Sequence, residues 1–548
     1  MTLHQARRNR RPRNGRLVLA AATALLALGA GSAYGAGGRG AASHAHWLSA
    51  RGVVDREVGV DTLVPPDACP IGGTMTDTSA LSCSQTDTTV EPAVAGDPAD
   101  PSHLVIAYQE GRRFSGGATG LGYAVTFDAG RTWQSGQLGF TKSAGGPSAA
   151  ISDPWVAFGL HGDVYVSGSP MDDTAPPCPS PCGAGIVVSH DGGKTWSQPV
   201  VAEKGECFDR TMVTVDTGSG AGHHPGRVYL ACNAGSRLLI FVMYSDDGGQ
   251  TWVTTQTAYG SPGLAGLSTW PVGLQVMPNG DLWVLNEDGD SLMGPHDKTV
   301  VSVNFMTMLV YPGAGATATG QQLIAAPALP VANNSGYLVR QVRDDSAASM
   351  ALSPRTGLVH VCWADAAGHV TERVNGVVCT SSSDALTWST PVHADSGSSN
   401  PWTNRWNAAV SVAPNGRMLV AWRQREEAAT EAADGSSFSP HVDTYVAESR
   451  DDGATFGAPR KVNLVSSDMG FAAMSLGFGA AGLGSTASAA VNTVDGPLAF
   501  LGDFLGVVAT DHAAYVVRAE AVRTSASEQA TFPARYHHQR VWVATVRP

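Results

Sequence analysis

The sequence contains few charged and few aromatic residues. Of its 548 residues, 15% are Asp, Glu, Lys or Arg and 7% are Phe, Trp or Tyr. The net charge is −12, and no basic run occurs outside the N-terminus, which argues against nucleic acid as a partner. No glycine-rich loop lies between a strand and a helix, so nucleotide binding has no support and we predict no cofactor.

Long apolar runs are also missing, with one exception at the N-terminus. Residues 7–16 contain six arginines, and residues 17–30 are almost wholly apolar, followed by the small residues Ala33 and Gly35. This apolar run is shorter than the roughly 20 residues that a membrane span needs. We therefore predict a secretory signal peptide over 1–36, a linker over 37–60, no membrane span in the mature chain, and a secreted protein, extracellular or periplasmic.

Eight cysteines form an even set, which in an exported chain suggests disulfides. They fall into four pairs that are close in sequence. Proximity alone therefore predicts the pairs 69–83, 178–182, 207–232 and 362–379. Cys178 and Cys182 lack a second pair of cysteines or histidines at zinc-site spacing, and we predict no metal site there. The acidic run EDGD at 287–290 leaves calcium open.

One polar turn recurs along the chain. It reads TFDAGRTW at 126–133, SHDGGKTW at 189–196, SDDGGQTW at 245–252 and SRDDGATF at 449–456. A decayed copy, SSSDALTW at 381–388, has Ser383 in the place of the aspartate. The aspartate suits acceptance of backbone hydrogen bonds, the glycine suits a positive φ, and the aromatic residue suits packing between sheets.

Short apolar strands surround these turns. The clearest set is the second strand of each unit, and its seven copies are HLVIAYQE (103–110), DVYVSGS (163–169), RVYLACN (227–233), DLWVLNE (281–287), LVHVCWAD (358–365), RMLVAWRQ (417–424) and AAYVVRAE (513–520). Four-stranded antiparallel units repeated in this way predict an all-β fold, a β-propeller of seven blades over 61–548, with six blades as the alternative.

Two parts of the chain depart from the regular repeat. The last unit shows only three clear strands, so we expect an N-terminal strand from about residues 61–90 to complete it and close the ring. Residues 461–497, rich in Gly, Ala and Ser, predict a long excursion between units six and seven.

The repeated turns resemble the Asp-boxes, or bacterial neuraminidase repeats, of the secreted sialidase-like family. The resemblance covers roughly residues 88–548 and implies that the turns between strands three and four share one face with the turns between strands one and two. Ligand sites in that family lie on the opposite face, near the axis. The box aspartates should therefore be structural: Asp128, Asp191, Asp247 or Asp246, and Asp451.

Candidate site residues are the polar side chains at the starts of first strands and the ends of second strands. The resemblance implies three arginines on a substrate carboxylate, an aspartate as acid/base, and a tyrosine nucleophile paired with a glutamate. Candidates for the catalytic carboxylates are Asp153, Asp209, Glu287 and Glu426. Candidates for substrate binding are Arg112, Arg113, Arg210, Arg405, Arg423 and Trp406. The family's Arg-Ile-Pro signature is absent, and Phe504 stands where the tyrosine is expected.

Two functions stay open at this stage. The first is a sialidase-like glycoside hydrolase that removes a terminal sugar, with sialic acid as a candidate. The second is a non-catalytic Asp-box propeller that binds a glycan or a protein on the same face. In both cases we expect a monomer.

Overall fold

The chain folds into short strands joined by turns. The computed structural model describes residues 47–50, 52–59, 84–85, 87–113, 116–171, 183–234, 239–259, 268–289, 304–315, 348–365, 376–395, 403–426, 441–475, 498–522 and 538–547. Within these ranges there is no α-helix, and the helical content is four 3-10 turns: Lys142–Ala144, Leu160–Gly162, Pro312–Gly315 and Met469–Phe471. The predicted signal peptide lies outside the described residues.

The strands form seven successive antiparallel units, preceded by two N-terminal strands. The N-terminal strands are β1 (Trp47–Ala50) and β2 (Val53–Glu57). Unit 1 has β3 (Thr89–Gly96), β4 (Leu104–Arg112), β5 (Ala118–Thr126) and β6 (Gln134–Leu138). Unit 2 has β7 (Ala150–Phe158), β8 (Val164–Met171), β9 (Gly183–Ser189) and β10 (Val200–Lys204). Unit 3 has β11 (Cys207–Val215), β12 (Val228–Ala234), β13 (Leu239–Ser245) and β14 (Val253–Tyr259).

The remaining units follow the same order. Unit 4 has β15 (Ser268–Val276), β16 (Leu282–Gly289) and β17 (Asn304–Tyr311). Unit 5 has β18 (Ser349–Leu352), β19 (Val359–Asp365), β20 (Gly376–Ser382) and β21 (Val392–His393). Unit 6 has β22 (Thr403–Val412), β23 (Met418–Glu426), β24 (His441–Ser449) and β25 (Arg460–Lys461). Next come β26 (Ser467–Asp468), β27 (Ala473–Ser475) and β28 (Leu498–Phe500), and then unit 7 with β29 (Gly506–Ala509), β30 (Ala514–Ala521) and β31 (Gln539–Val546). The seven predicted second strands are confirmed as β4, β8, β12, β16, β19, β23 and β30.

The apolar core lies between neighbouring units rather than inside any one of them. Unit 1 shares a buried cluster with unit 2, unit 2 with unit 3, and so on through units 6 and 7. A further cluster joins unit 7 to unit 1, with Val517 and Val543 packed among Leu104, Ile106 and Tyr108. Because each sheet is covered on both faces, its strands contain apolar runs, such as residues 104–108 of β4, and every residue of β4 is buried.

The Asp-box turns have one hydrogen-bond pattern. In the second box, Asp191 Oδ1 accepts from Thr195 N at 2.8 Å, and Oδ2 accepts from Thr195 Oγ1 at 2.6 Å. Gly193 N donates to Ser189 Oγ at 2.7 Å and has a φ of 94°, a value that glycine adopts without strain. The box aromatics pack between units, as expected: Trp196 joins the cluster of units 1 and 2.

In the fifth box the aspartate lies one position later than predicted. We predicted that Ser383 replaces the aspartate, but Asp384 takes that role, because Ser382 Oγ donates to Asp384 Oδ1 at 3.1 Å. Thr387 N donates to the same oxygen at 2.8 Å. The turn has lost one residue between the aspartate and the threonine, and Ala385 takes the positive φ, 62°, in place of glycine. In the third box the aspartate is Asp247, which accepts from Thr251 N at 2.9 Å.

Asp246, the other carboxylate in the third box, has a different role. Its two oxygens accept from Arg227 Nε at 2.6 Å and Nη2 at 2.8 Å. The box turns also share a face with the turns between first and second strands, as the resemblance implied. Ala129 N of the first box donates to Ser102 O at 2.8 Å, and His103 Nε2 lies 2.7 Å from Gly192 O of the second box. We call this side of the molecule the Asp-box face.

Unit 7 is completed by a strand that lies earlier in the chain than predicted. Residues 53–57 pair antiparallel with β31, whereas we expected a strand from about residues 61–90. The two N-terminal strands also occupy the segment predicted as a linker, 37–60. In β2 the buried residues are Val53 and Asp55, and a pattern of five residues is too short to distinguish a strand from a small-residue linker. Within the predicted excursion, 461–497, residues 467–475 form the short strands β26 and β27 with a 3-10 turn between them, and residues 476–497 lie outside the described part.

Two of the four predicted disulfides are confirmed, Cys207–Cys232 and Cys362–Cys379. Each joins adjacent strands of one unit, β11 to β12 and β19 to β20. The pairs 69–83 and 178–182 lie outside the described residues. None of the helical segments in the described part has the length and apolar character of a membrane span.

Candidate functional site

The first strands of several units carry a bulge near their N-terminal ends, on the face opposite the Asp-boxes. At these bulges the pairing register shifts in β3, β7, β11 and β22. A polar residue occupies the left-handed region in each: Glu91 (φ 54°), Asp153 (51°), Arg210 (50°) and Asn407 (51°). Such a conformation costs on the order of 1–3 kcal/mol in a residue with a side chain, and it concentrates at functional sites.

Asp153 is the centre of a buried polar network between units 2 and 3. Its Oδ2 accepts from the backbone N of Arg210 at 3.0 Å, and its Oδ1 accepts from Ser152 Oγ at 3.0 Å. The side chain of Asp209 is also hydrogen-bonded to it. Asp153 is 5% exposed, whereas Asp209 is only partly buried. The structure thus brings together three of the predicted site residues.

The surroundings of Asp153 favour its ionised form. Burial raises the pKa of Asp153, but the hydrogen bonds from Asp209 and Arg210 N and the positive charge of Arg210 outweigh it, so the pKa of Asp153 lies below its usual value. Two carboxyl groups can hydrogen-bond to each other only when one carries a proton. The hydrogen bond between Asp153 and Asp209 therefore requires a proton on one of the two carboxyl groups, and the lowered pKa of Asp153 favours ionisation of that residue.

Arg112 belongs to a second network, in unit 1, that touches the first. Its Nη1 donates to Gln109 Oε1 at 2.9 Å and lies 3.7 Å from Glu91 Oε2. Gln109 Nε2 donates to Ser152 Oγ at 3.1 Å, which joins the two networks. The guanidinium also lies over the ring of Phe500, with Cζ 4.5 Å from the ring centre. Arg112 is thus buried and engaged on several sides.

A cavity of about 180 Å³ lies beside the networks and is bounded by all seven units. Its lining includes one residue or more from each first strand: Pro92, Trp155, Met212, Val272, Met350, Asn407 and Val507. We call it the axial cavity. Trp155 and Phe504 meet edge to face in its wall, with ring centres 5.7 Å apart. Arg210 Cζ lies 5.5 Å from the Phe504 ring, so the cavity and the Asp153 network share a boundary.

The other predicted arginines are held elsewhere. Arg405 pairs with Asp395, Nε to Oδ2 at 3.3 Å, and both side chains are 2% exposed. Arg423 is fully buried and donates from Nη2 to the carbonyls of Leu501 and Ala519 at 3.2 and 2.9 Å. Arg113 Nη2 donates to Ala149 O at 3.1 Å. The predicted arginines are therefore each engaged by groups of the protein itself.

Three predicted site residues remain. Glu287 is buried on β16, opposite Trp270 in the register of β15. Glu426 ends β23, and its side chain lies outside the described part of the structure. Trp406 is 1% exposed and packs with Leu501 and Val442 in an apolar cluster, so its ring offers no open face to a sugar.

Some residues of the networks were not predicted. Glu91 and Asp395 are the acidic partners of Arg112 and Arg405, and Ser152 links units 1 and 2. Glu91 had a usable signal, because an acidic residue before proline inside an apolar strand occurs in VEPAV as in SDPWV, and such a proline marks a bulge. No sequence signal marked Asp395, because its partner Arg405 lies in the next unit.

The described residues contain no group of three or more His, Cys, Asp or Glu placed to hold a metal ion. The acidic run at 287–290 is described only as far as Gly289.

Several solved structures are similar to this chain at low identity. They include an α-L-arabinanase of Penicillium chrysogenum (12% identity, 72% of this chain and 93% of that one, TM-score 0.38). An intramolecular trans-sialidase of Ruminococcus gnavus has 12% identity over 64% of this chain and 94% of that one, with a TM-score of 0.40. A polysaccharide lyase acting on ulvan has 10% identity, 84% and 94% coverage, and a TM-score of 0.45. At such values the activities of those proteins do not transfer to this chain.

No curated protein has a significantly similar sequence. The family model described as "BNR/Asp-box repeat" matches residues 187–198 and 243–254, the turns of units 2 and 3. The prediction that the repeated turns are Asp-boxes is therefore confirmed, and the chain carries BNR/Asp-box repeats.

Proposed function

We propose that the seven units close into a seven-bladed β-propeller whose ligand site is the end of the axial cavity opposite the Asp-box face. Two observations support a closed ring. A buried cluster joins unit 7 to unit 1 in the same way as each other neighbouring pair. The axial cavity is lined by all seven first strands.

We further propose that this site binds a carbohydrate and that binding, without hydrolysis, is the function. The supporting observation is the wall of the axial cavity, where Trp155 is only partly buried and stands beside the Asp153 network. An aromatic ring can stack on the apolar face of a sugar, while carboxylate and amide groups such as those of Asp209 and Asn407 exchange hydrogen bonds with its hydroxyls.

The engaged arginines favour a neutral sugar over sialic acid. A sialic acid carboxylate would have to replace Asp395 on Arg405 and Glu91 on Arg112, and each replacement leaves a buried acid without its partner. A neutral sugar can bind without displacing either acid from its arginine. Phe504 supports the same choice, because its ring lies at the site and a phenylalanine cannot act as a nucleophile.

Glycan binding is measured by an array of neutral and sialylated glycans followed by calorimetry. We expect Trp155→Ala to lose at least about tenfold in affinity, the factor that corresponds to ~1.4 kcal/mol of stacking. Trp133→Ala is the matched control, since Trp133 is also partly buried but packs near the Asp-box face. Equal losses in the two variants, or an array without any bound glycan, would contradict the proposal.

A glycoside hydrolase is the second candidate, favoured by the hydrogen bond between the carboxyl groups of Asp209 and Asp153. In that case Asp209 would donate its proton to the glycosidic oxygen as the bond to the leaving sugar breaks. Fluorogenic glycosides, including a sialoside, would test it. Turnover that falls about 10²-fold or more in Asp209→Asn would support hydrolysis, and turnover that survives in this variant would exclude Asp209 as the acid. Turnover of the sialoside that survives in both Arg405→Ala and Arg423→Ala would exclude those arginines.

We also propose that the protein is exported. The supporting observation is the pair of buried disulfides, which persist in oxidising compartments. Fractionation of cells that express the full chain, with detection of the processed N-terminus by mass spectrometry, tests this and the signal peptide over residues 1–36 together.

A further inference from the structure

Unit 4 contacts unit 3 without an Asp-box. In units 2 and 6 the box contacts the unit before it, at the start of that unit's second strand or just ahead of it. Gly192 O lies 2.7 Å from His103 Nε2, and Asp452 Oδ1 lies 3.2 Å from His360 Nε2. In unit 4, β17 runs instead into the 3-10 turn Pro312–Gly315. Something else must connect unit 3 to unit 4 on this face.

The connection is the loop 216–227 of unit 3, which contains the adjacent histidines 223 and 224. His224 Nε2 lies 3.3 Å from Gly313 O, in the turn that replaces the box. His223 Nε2 lies 3.0 Å from Pro278 O, in the first turn of unit 4. Gly222 and Gly280 allow this approach, because a Cβ on Gly222 would lie 2.4 Å from the Asn279 carbonyl oxygen.

Both ring nitrogens of His223 face acceptors. Nδ1 lies 2.8 Å from Asp216 Oδ1, while Nε2 faces the Pro278 carbonyl. Asp216 is fully buried and also accepts from Gly218 N at 2.9 Å and from His224 N at 2.5 Å. Neither acceptor has a proton to give, so both contacts are hydrogen bonds only when the imidazole carries two protons.

The charge of a protonated His223 is balanced by the carboxylate of Asp216. Its side chain is 7% exposed, and the carboxylate facing it from its own loop is Asp216. From unit 4 it meets the Pro278 carbonyl. The nearby Asp281 is engaged by Asn279 Nδ2 at 2.7 Å and Gly313 N at 2.9 Å. His224 beside it contributes its backbone N–H to Asp216.

We infer that the loop 216–227 is a pH-dependent clasp, which binds unit 4 to unit 3 when His223 is protonated and weakens when it loses a proton. The pKa of His223 supports the direction. The hydrogen bond to Asp216 raises it above the usual value, against the opposing effect of burial. Stabilisation is therefore complete below the unfolded pKa of about 6.5 and is lost as the pH rises through the folded pKa.

The first test compares Tm in His223→Ala and in the wild type at about pH 5.5 and about pH 9, on either side of the usual histidine pKa. We expect the loss of Tm to be larger at the lower pH. His190→Ala is the matched control, because His190 pairs with Asp163 at 2.9 Å on the same face but its side chain is 69% exposed. A loss of Tm that does not depend on pH in His223→Ala would overturn the clasp.

The second test uses the wild-type protein and so does not depend on the variant folding. Amide hydrogen exchange, corrected for the intrinsic effect of pH, is followed in residues 277–281 and 216–227. Between the same two pH values we expect protection in these segments to fall about tenfold relative to residues 103–112 of unit 1, roughly the effect of one charge-assisted hydrogen bond. Unchanged relative protection would overturn the inference.

Discussion

The aspartate of each Asp-box accepts hydrogen bonds with both of its oxygens. In the second box, Ser189 Oγ donates to Asp191 Oδ1 at 2.8 Å, and the backbone and hydroxyl of Thr195 occupy both oxygens. These bonds, that of the Thr195 side chain above all, lower the pKa of Asp191 to about 2. The pKa of Asp247 is lowered to about 2 in the same way by Thr251.

Acid should therefore weaken the boxes in a narrow range of pH. Because the folded pKa of Asp191 lies below the unfolded value of about 3.9, its stabilisation is present above that value and is lost as the pH falls towards 2. We expect the difference in unfolding free energy between the wild type and Asp191→Asn to shrink over this range in urea titrations. Asp384→Asn, in the shortened box, should behave alike. A difference that stays constant down to pH 2 would contradict the assignment.

The sequence located the residues of the Asp153 network better than it located the acidic partners of the arginines. Asp153, Asp209 and Arg210 were predictable because each is a polar residue at the start of an apolar first strand. The partner Asp395 was not assigned, since its ion pair with Arg405 joins two units and depends on distances that a single strand pattern does not contain. Glu91, in the same unit as its partner Arg112, was missed although a proline follows it inside an apolar strand. The prediction that Ser383 replaces the aspartate of the fifth box was wrong. A one-residue deletion changes the spacing of that box, while Asp384 keeps the hydrogen bonds of a box aspartate.

At the scale of the strand, the two faces of one element belong to different cores. Along β4, Leu104 and Ile106 face unit 7, while Val105 and Ala107 face unit 2. A second strand of this kind is readable from sequence as an unbroken apolar run. The short strands β1 and β2 are not, because they have only four and five residues, and their sequences WLSA and VVDRE contain no such run.

Glycines at the contacts between units should be more sensitive than glycines in open turns. Gly192 has a φ of 75°, and a Cβ there would lie 2.7 Å from Cε1 of His103, whose ring is fixed by stacking on Phe127. Gly145 has a φ of 84° with nothing within 4 Å. We expect Gly145→Ala to cost about 1–2 kcal/mol from its backbone alone. Gly192→Ala should cost about 1–3 kcal/mol more, through the contact.

Chemical denaturation of the two variants measures this difference, since both share the backbone penalty. Equal destabilisation would mean that His103 moves aside at no cost, and that the contact between units 1 and 2 is not rigid at this position.

At the scale of the whole molecule, one buried ion pair joins the two ends of the described chain. Arg518 Nη2 on β30 donates to both oxygens of Asp55 on β2, at 2.8 and 2.7 Å. Asp55 Oδ2 also accepts from Leu464 N at 3.1 Å. Glu520 pairs with the same arginine, and burial raises its pKa in spite of that positive charge. The N-terminal strand is thus fixed by a side chain as well as by its ladder to β31.

Truncation of this pair should be costly. Asp55→Ala leaves the Arg518 guanidinium buried with one acid fewer, and we expect a loss of about 3–5 kcal/mol in unfolding free energy. The double variant Asp55→Leu with Arg518→Met should lose less, because Glu520, with its raised pKa, can take up a proton. Asp443→Ala is the control: its pair with Lys461, at 2.6 Å, is partly exposed and should contribute at most about 1 kcal/mol.

Unfolding in guanidinium, followed by intrinsic fluorescence, separates these cases. A loss for Asp55→Ala no greater than that for Asp443→Ala would show that the ladder between β2 and β31 suffices to fix the N-terminal strand.

The bond between Arg518 and Asp55 spans 463 positions of sequence, and this has a consequence for the way the protein is made. As the chain emerges from the ribosome, units 1 to 6 can pair their strands in turn, but β2 has to wait for β31. Closing so long a loop is slow, and the last sheet is therefore the final one to form. Until then the edge of β2 is open to other chains. A ribosome that stalls before residue 539 releases a product with that edge permanently unpaired, a natural substrate for chaperones and proteases.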